Sequence, residues 1–296
     1  MTALVANPTK VDDLDDLVRQ VAEACARHGL DGPTVYETTP EDAGEGLARQ
    51  AVKDGAAVVL AAGGDGTVQA VCCGLHGTGV PLGILPLGTG NLLARNLTVP
   101  LDVAAALEVA LTGRGRTIDL GQVRVGDAPQ TCFAVMAGLG FDAEMMADAP
   151  EKLKARVGWP AYVLSGVKHL GDDAVLAEVV LDGGPPIRRR VRGVVVGNVG
   201  NLQGGVSLLP DAVPDDGVLD IVLLAPRRLS DWARLVGRLL TRSLHQDQTL
   251  SRFTATTIEV HMNAATQSQL DGEPLGEVRA LTVDVSPGAL VVRVPR

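Results

Sequence analysis

The chain has 296 residues, long enough for two ordinary domains with a core each. Its net charge of −9 and pI near 5.0 speak against a nucleic-acid protein, which presents a basic face to the phosphate backbone. Hydrophobic residues make up 46% and aromatics only 2%, so Val, Leu, Ala and Ile must build the core, a composition that suits an α/β nucleotide-binding fold.

Leu4-Val5-Ala6 reads as a first strand. The stretch from Val11 to His28 carries Leu14, Val18, Val21 and Cys25 at helical spacing before Gly29 stops it. Val35-Tyr36 marks a second strand, Asp42 to Lys53 a helix, Ala57 to Ala61 a buried strand, Leu82 to Leu85 another, and Asp102 to Leu111 a further helix. This βαβα rhythm predicts a parallel sheet with helices on both faces over residues 1–120. From residue 121 the pattern changes. Cys132 to Met136, Val175 to Leu181, Arg189 to Val196, Leu219 to Leu224, Ile258 to His261, Leu281 to Val285 and Leu290 to Val294 read as strands separated by Gly, Pro and Asp turns. They predict a β-rich domain over 121–285, interrupted by helical segments at 151–170 and 229–244.

Cys25, Cys72, Cys73 and Cys132 show no C-x-x-C spacing and no histidine partners, so they read as small core residues of a reducing cytoplasm, neither zinc ligands nor a disulfide framework. The opening Met1 to Ala6 runs straight into Asn7-Pro8, so no secretory leader is expected. No uninterrupted apolar run approaches the ~20 residues that span a bilayer, so any membrane contact is expected to be peripheral.

The run Val58 to Thr67 is a buried strand ending in Gly63-Gly64-Asp65-Gly66-Thr67 and followed by a helix-compatible segment. Glycines let a backbone approach phosphate oxygens, N–H groups point at them, and a helix N-terminus favours their charge. Asp65 cannot bind phosphate directly and suits a magnesium ion, held through water. Taken alone, the run also fits a Gly-rich turn whose Asp and Thr cap the next helix. A second cluster, Leu85-Pro86-Leu87-Gly88-Thr89-Gly90-Asn91, follows another strand, and two such loops at neighbouring strand ends of a parallel sheet face one crevice. Neither run has the Walker or the Rossmann G-x-G-x-x-G spacing.

Asn7-Pro8, the GGDGT run, the LPLGTGN run and the late Asp271-Gly272-Glu273, in this order along nearly the whole chain, resemble the diacylglycerol kinase catalytic family, which includes bacterial lipid kinases and sphingosine kinases. The resemblance implies a Rossmann-like N-terminal domain of the NAD kinase and phosphofructokinase type and a C-terminal β-sandwich, with the strand of 286–296 returning to the first domain. It implies an ATP- and Mg²⁺-dependent kinase that phosphorylates a hydroxyl of a diacylglycerol- or sphingosine-like lipid. Asn7, Pro8, Thr9 and Thr38 would line the nucleotide. Gly63, Gly64, Asp65, Gly66, Thr67, Val68, Gln69 and Ala70 would wrap its phosphates, and Gly88, Thr89 and Asn91 would close the site. Glu273 maps to the family's catalytic base, while Asp65 and Asp119 map to its catalytic magnesium network. Val213, Asp216 and Val218 map to a structural magnesium loop, a stretch that also fits an ordinary Asp-Gly turn.

The chain departs from the family at Gln69-Ala70, where Asn-Glu is usual, and at Leu92, where an acid is usual. An NAD kinase, which shares GGDGT, is the alternative enzyme, and the departures also admit a catalytically silent nucleotide- or lipid-binding protein. Lys152 to Tyr162 and Arg227 to Arg242 mix cations with Trp and Tyr or Trp and Leu, a composition that fits either a membrane surface or a solvated helix face. The expected partners are a lipid substrate and the inner face of a membrane, with the oligomeric state left open, a homodimer included.

Overall fold

A computed structural model describes residues 1–140, 174–202, 207–226, 231 and 249–296. The segments expected to be helical at 151–170 and 229–244, with their cationic and aromatic side chains, lie outside the described residues, apart from Asp231.

The first half alternates β1 (Thr2–Ala6), α1 (Leu14–Arg27), β2 (Pro33–Glu37), α2 (Glu45–Lys53), β3 (Val58–Gly63), α3 (Asp65–Leu75), β4 (Leu82–Pro86), α4 (Leu92–Asn96) and α5 (Val103–Thr112). The four strands are parallel in the order β4-β3-β1-β2. Strands β1, β3 and β4 are buried throughout, as apolar runs covered on both faces must be. Helix α1 shows how the sequence sets an element. The Asp13 carboxylate accepts the Asp16 N–H at the N-cap, acids fill the first turn and Arg27 the last, and Leu17, Val21, Ala24 and Cys25 form the buried stripe. Helix α1 packs with α5, and α2 packs with α3. Right-handed crossovers set these two pairs on opposite faces of the sheet.

The second half is β5 (Arg114–Val125), β6 (Thr131–Phe133), β7 (Met136–Leu139), β8 (Val175–Leu181), β9 (Ile187–Val191), β10 (Gly193–Gly197), β11 (Leu219–Leu224), β12 (Leu250–Ala255), β13 (Thr257–Leu270) and β14 (Glu273–Val294). The two late strands expected at 281–285 and 290–294 are one element. Strand β14 pairs with β13 along its first half and with β5 along most of its length, and Val292 pairs with Leu82 of β4. An irregularity at 286–290 bends β14 without breaking it. One hydrophobic core fills the N-terminal layers and continues to Cys132, Val195 and Leu209, and a second, around Phe133, Val194, Ile221 and Val260, fills the second half.

The cysteine expectation is corrected. Cys73 of α3 and Cys132 of β6 form a disulfide with Cα atoms 5.6 Å apart, while Cys25 and Cys72 stay free and buried. The bridge joins residues 59 apart that meet only because α3 packs on β6. No local spacing in the sequence announces such a pair.

Candidate active site

Asn7, Thr38, Gly63 and Leu87 stand just beyond or at the carboxyl ends of β1, β2, β3 and β4, the rim where parallel sheets bind ligands. Backbone bonds bring these ends into line: Asn7 N–H donates to Ala62 O (2.9 Å), Thr38 N–H to Ala6 O (2.9 Å) and Leu87 N–H to Gly63 O (3.0 Å). The Asn7 amide bridges loops, with Nδ2 donating to Thr67 Oγ1 (3.3 Å) and Oδ1 accepting the N–H and hydroxyl of Thr9. Thr38 is buried, and Pro8 and Thr9 are exposed.

Helix α3 begins at Asp65, directly after the glycine pair, and no side chain caps it. Its orphan first-turn N–H groups and its dipole therefore face the rim, as an anion site requires. Asp65 points across to the second loop. Its Oδ2 accepts the Asn91 N–H (2.9 Å) and its Oδ1 the Leu92 N–H (2.6 Å), so the carboxylate caps α4 from another element. Asn91, with φ 48°, closes the second loop on itself: its Oδ1 accepts the Gly88 N–H (3.0 Å) and its Nδ2 donates to Gly88 O (2.8 Å). Arg95 Nε donates to Gly90 O (2.8 Å). The loops touch so closely that a Cβ on Gly88 would come within 2.7 Å of Gly64 Cα, and one on Gly90 within 2.5 Å of Asp65 Oδ2. Burial holds the Asp65 carboxyl above its ordinary range, against the opposing pull of the Leu92 and Asn91 N–H groups.

Glu273 arrives from the far end of the chain. Asp271 (φ 46°) and Gly272 (φ 93°) form the two-residue turn of the β13–β14 hairpin, both in the left-handed region that a type I′ turn demands. The turn sets Glu273 over the start of α3, where a Cβ on Gly66 would stand 3.8 Å from Glu273 Oε1. Glu273 is exposed.

Sequence reasoning assigned no role to Asp271. It is buried at 2% exposure, with Oδ2 accepting the Ala134 N–H (3.0 Å) and Oδ1 those of Val135 (2.9 Å) and Met136 (2.8 Å). Burial pushes its carboxyl up to about 6, opposed by the three N–H bonds and assisted by the nearby Asp65 charge. The only advance signal was the aspartate at the first position of a two-residue turn.

The family departures have local explanations. Gln69 Nε2 donates to Cys132 O (2.6 Å), tying α3 to β6, and Ala70 is buried inside the helix packing. Leu92 is 8% exposed, and its Cδ1 lies 3.9 Å from where a Gly272 Cβ would stand, so the second loop and the hairpin turn are neighbours. Val68 and Thr67 are buried in the same turn of α3, and Thr89 is exposed at the tip of the second loop.

Asp119 lies away from these loops' hydrogen bonds. It is 2% exposed, its Oδ2 accepts the Gly217 N–H (2.7 Å), its Oδ1 accepts the Gly288 N–H (2.7 Å), and its own N–H donates to Pro214 O (2.6 Å). These bonds fasten the 213–218 loop to β5 and to the bend in β14. Asp216 Oδ1 accepts the Val218 N–H (3.2 Å), and Arg116 grips Asp215 through two nitrogens at 3.0 and 3.1 Å.

The donor chemistry decides what cation these residues fit. No group of three or more His, Cys, Asp or Glu suited to hold a metal occurs among the described residues. Each Asp65 oxygen accepts one backbone N–H and keeps capacity for another partner. That fits a hard ion that keeps its waters and leans on substrate phosphates, and does not fit an all-protein cage. Val213 and Asp216 are exposed, and Val218 is half-buried.

Known proteins resemble this chain along most of its length. Residues 2–123 match the diacylglycerol kinase catalytic domain, and residues 134–294 match the YegS C-terminal NAD kinase beta sandwich-like domain. The protein named "Probable lipid kinase YegS" from Shigella flexneri is 30% identical over 309 residues, 99% of this chain and 95% of that protein. A "Probable lipid kinase YegS-like" from Yersinia enterocolitica is 33% identical, covering 85% of this chain and 84% of that one. Among solved structures, a diacylglycerol kinase from Bacillus anthracis str. Sterne superposes with a TM-score of 0.78 at 21% identity, over 99% of this chain and 96% of that one. An NAD kinase from Archaeoglobus fulgidus in complex with ATP gives 0.56 at 15% identity, over 99% and 93%. Among the described residues no helix is long and apolar enough to cross a membrane. With its glycine loops, its Asp-Gly-Glu hairpin and its two domain matches in register, the chain belongs to the diacylglycerol kinase catalytic family, in the branch that carries the YegS-type β-sandwich domain.

Proposed function

We propose that the protein is an ATP-dependent lipid kinase that transfers the γ-phosphoryl group to a hydroxyl of a diacylglycerol- or sphingosine-like lipid. The observation that carries this reading is the Glu273 carboxylate standing over the first turn of α3, where glycine N–H groups would hold a triphosphate. Asn7, Pro8, Thr9 and Thr38 line the nucleotide end of the crevice. Residues Gly63 to Ala70 hold the phosphates from α3, and Gly88, Thr89 and Asn91 close over them. Asp65 keeps the two loops in register, so that both sets of N–H groups converge on one anion.

In the transfer, the lipid hydroxyl oxygen forms the new bond to the γ-phosphorus, its proton passes to Glu273, and the bond from that phosphorus to the β–γ bridging oxygen breaks, releasing ADP. Asp65 would hold a hydrated Mg²⁺, which would supply charge neutralisation when bound. Asp119 supports the 213–218 loop, in which Asp216 and the Val213 and Val218 carbonyls would hold a second, structural Mg²⁺. The lipid reaches the crevice from the inner face of a membrane, on which a cytoplasmic protein would sit peripherally.

The test is incubation of purified protein with γ-labelled ATP, Mg²⁺ and a detergent-dispersed bacterial lipid extract, with products identified by mass spectrometry. A labelled lipid that disappears with Glu273→Gln supports the reading. Normal ATP binding with no labelled lipid refutes it, and NADP formation in a parallel incubation with NAD would assign the alternative kinase chemistry.

A further inference from the structure

Among the described residues the Glu273 side chain has no hydrogen-bond partner, while its backbone pairs with Leu270 at the end of the β13–β14 hairpin, so the hairpin sets where the carboxylate stands over α3. The tip of that hairpin is held in turn by two side chains, Asp271 first among them. Asp271 spends both carboxylate oxygens on the consecutive N–H groups of Ala134, Val135 and Met136, and its own N–H donates to Met136 O (2.8 Å). Gln269 adds a second hold, its Oε1 accepting the Gly272 N–H (2.9 Å).

The gripped segment is itself immobilised from several sides. Asn198 N–H donates to Val135 O (2.9 Å), Asn198 Nδ2 donates to Asp119 O (2.7 Å) and Ala134 O (3.3 Å), and Gln69 of α3 bonds Cys132 O. Asp271 thus connects the turn that carries Glu273 to a strand already fastened to α3, the helix whose N-terminus Glu273 must face. Three N–H donors on one buried carboxylate also exceed what a two-residue turn needs, since a type I′ turn forms with Asn-Gly and no such grip.

We propose that Asp271 is a positioning residue for Glu273: its carboxylate clamps the hairpin tip onto residues 134–136 and so fixes where the exposed Glu273 carboxylate stands over the start of α3. This rests on the reading of Glu273 as the base. A shift of the base by about 1 Å costs on the order of 100-fold in rate while leaving nucleotide contacts intact.

The experiment is a double-mutant cycle of Asp271→Asn and Glu273→Gln, reading apparent kcat on the detergent-dispersed lipid extract and KM for ATP. The expected result is a kcat at least tenfold lower for Asp271→Asn, a KM for ATP within twofold of the parent, and a double variant no slower than Glu273→Gln alone, because a misplaced base and a missing one fail at the same step. Unchanged kcat in Asp271→Asn, losses that multiply in the double variant, or a KM for ATP that rises with the fall in kcat would each overturn the proposal. Glu273→Gln at the parent rate would instead sink the base assignment, whatever Asp271→Asn does. Should Asp271→Asn fail to fold, Gln269→Met takes its place: a kcat several-fold lower at unchanged KM supports the clamp, and a parent-like kcat overturns it.

Discussion

Replacing Cys73 and Cys132 together by serine opens a closed loop of 59 residues in the unfolded chain and removes the covalent link between α3 and β6. In the chain-entropy account, closing a loop of that size destabilises the denatured ensemble by about 4 kcal/mol. With an unfolding entropy of about 2.1 cal/mol/K per residue, that loss lowers the thermal midpoint of a 296-residue protein by about 7 °C. The assay is calorimetry of oxidised parent, parent with a phosphine reductant, and the double variant, alongside alkylation of thiols after denaturation. Two free thiols, Cys25 and Cys72, are expected in oxidised parent, and reductant should bring its midpoint down to that of the variant. Coincident midpoints in all three samples, or four alkylated thiols without reduction, would refute the bridge.

Gly90→Ala should weaken ATP binding at least tenfold, because its Cβ would meet Asp65 Oδ2 at 2.5 Å and force the carboxylate off the second loop; calorimetric titration with ATP checks this. Because the Asp271 carboxyl is raised from its unfolded value near 4 to about 6, the stability it contributes is full below pH ~4 and lost as pH rises through about 6. The difference in unfolding free energy between parent and Asp271→Asn should therefore fall by about 3 kcal/mol from pH 4 to 7, and urea curves that shift in parallel would contradict the assignment. Leu92→Asp exchanges a buried apolar side chain for a carboxylate beside Asp65, so a loss of about 2 kcal/mol in urea unfolding is expected.

The parallel half was legible because its strands are uninterrupted apolar runs, each followed by a helical stripe, and because glycine loops at strand ends have few other uses. What escaped was decided by contacts between distant residues. Cys132 to Met136 was expected as one strand, yet β6 and β7 part at Ala134-Val135, where the N–H groups turn to the Asp271 carboxylate instead of a ladder. Arg189 to Val196 likewise splits at Arg192, whose N–H donates to Leu224 O at the point where pairing passes from β8 to β7 and β11. Ser286-Pro287-Gly288 looked like a turn between two strands and is a bend within one, its Gly288 N–H taken up by Asp119. Helix α4 is too short for its periodicity to register and owes its start to Asp65, 26 residues earlier. In the candidate site, Asp65 and Glu273 could be found from motifs, but that Asp65 caps another helix, and that Asp271 is buried, depends on the pairing of β13 with β7.

Strand β14 carries one further consequence, for the order of events during synthesis. Its first residue is Glu273, and its last stretch pairs with β5 and touches β4, strands made more than 160 residues earlier. Until that stretch emerges from the ribosome, the nucleotide half has an open sheet edge, and at 5–20 residues per second the wait lasts on the order of ten seconds or more. Residues 1–123 made alone would keep that edge open, a template for pairing with other chains. Completing the first domain's sheet and bringing the Glu273 carboxylate over the start of α3 are thus one closing step, and a chain that stalls short of it has done neither.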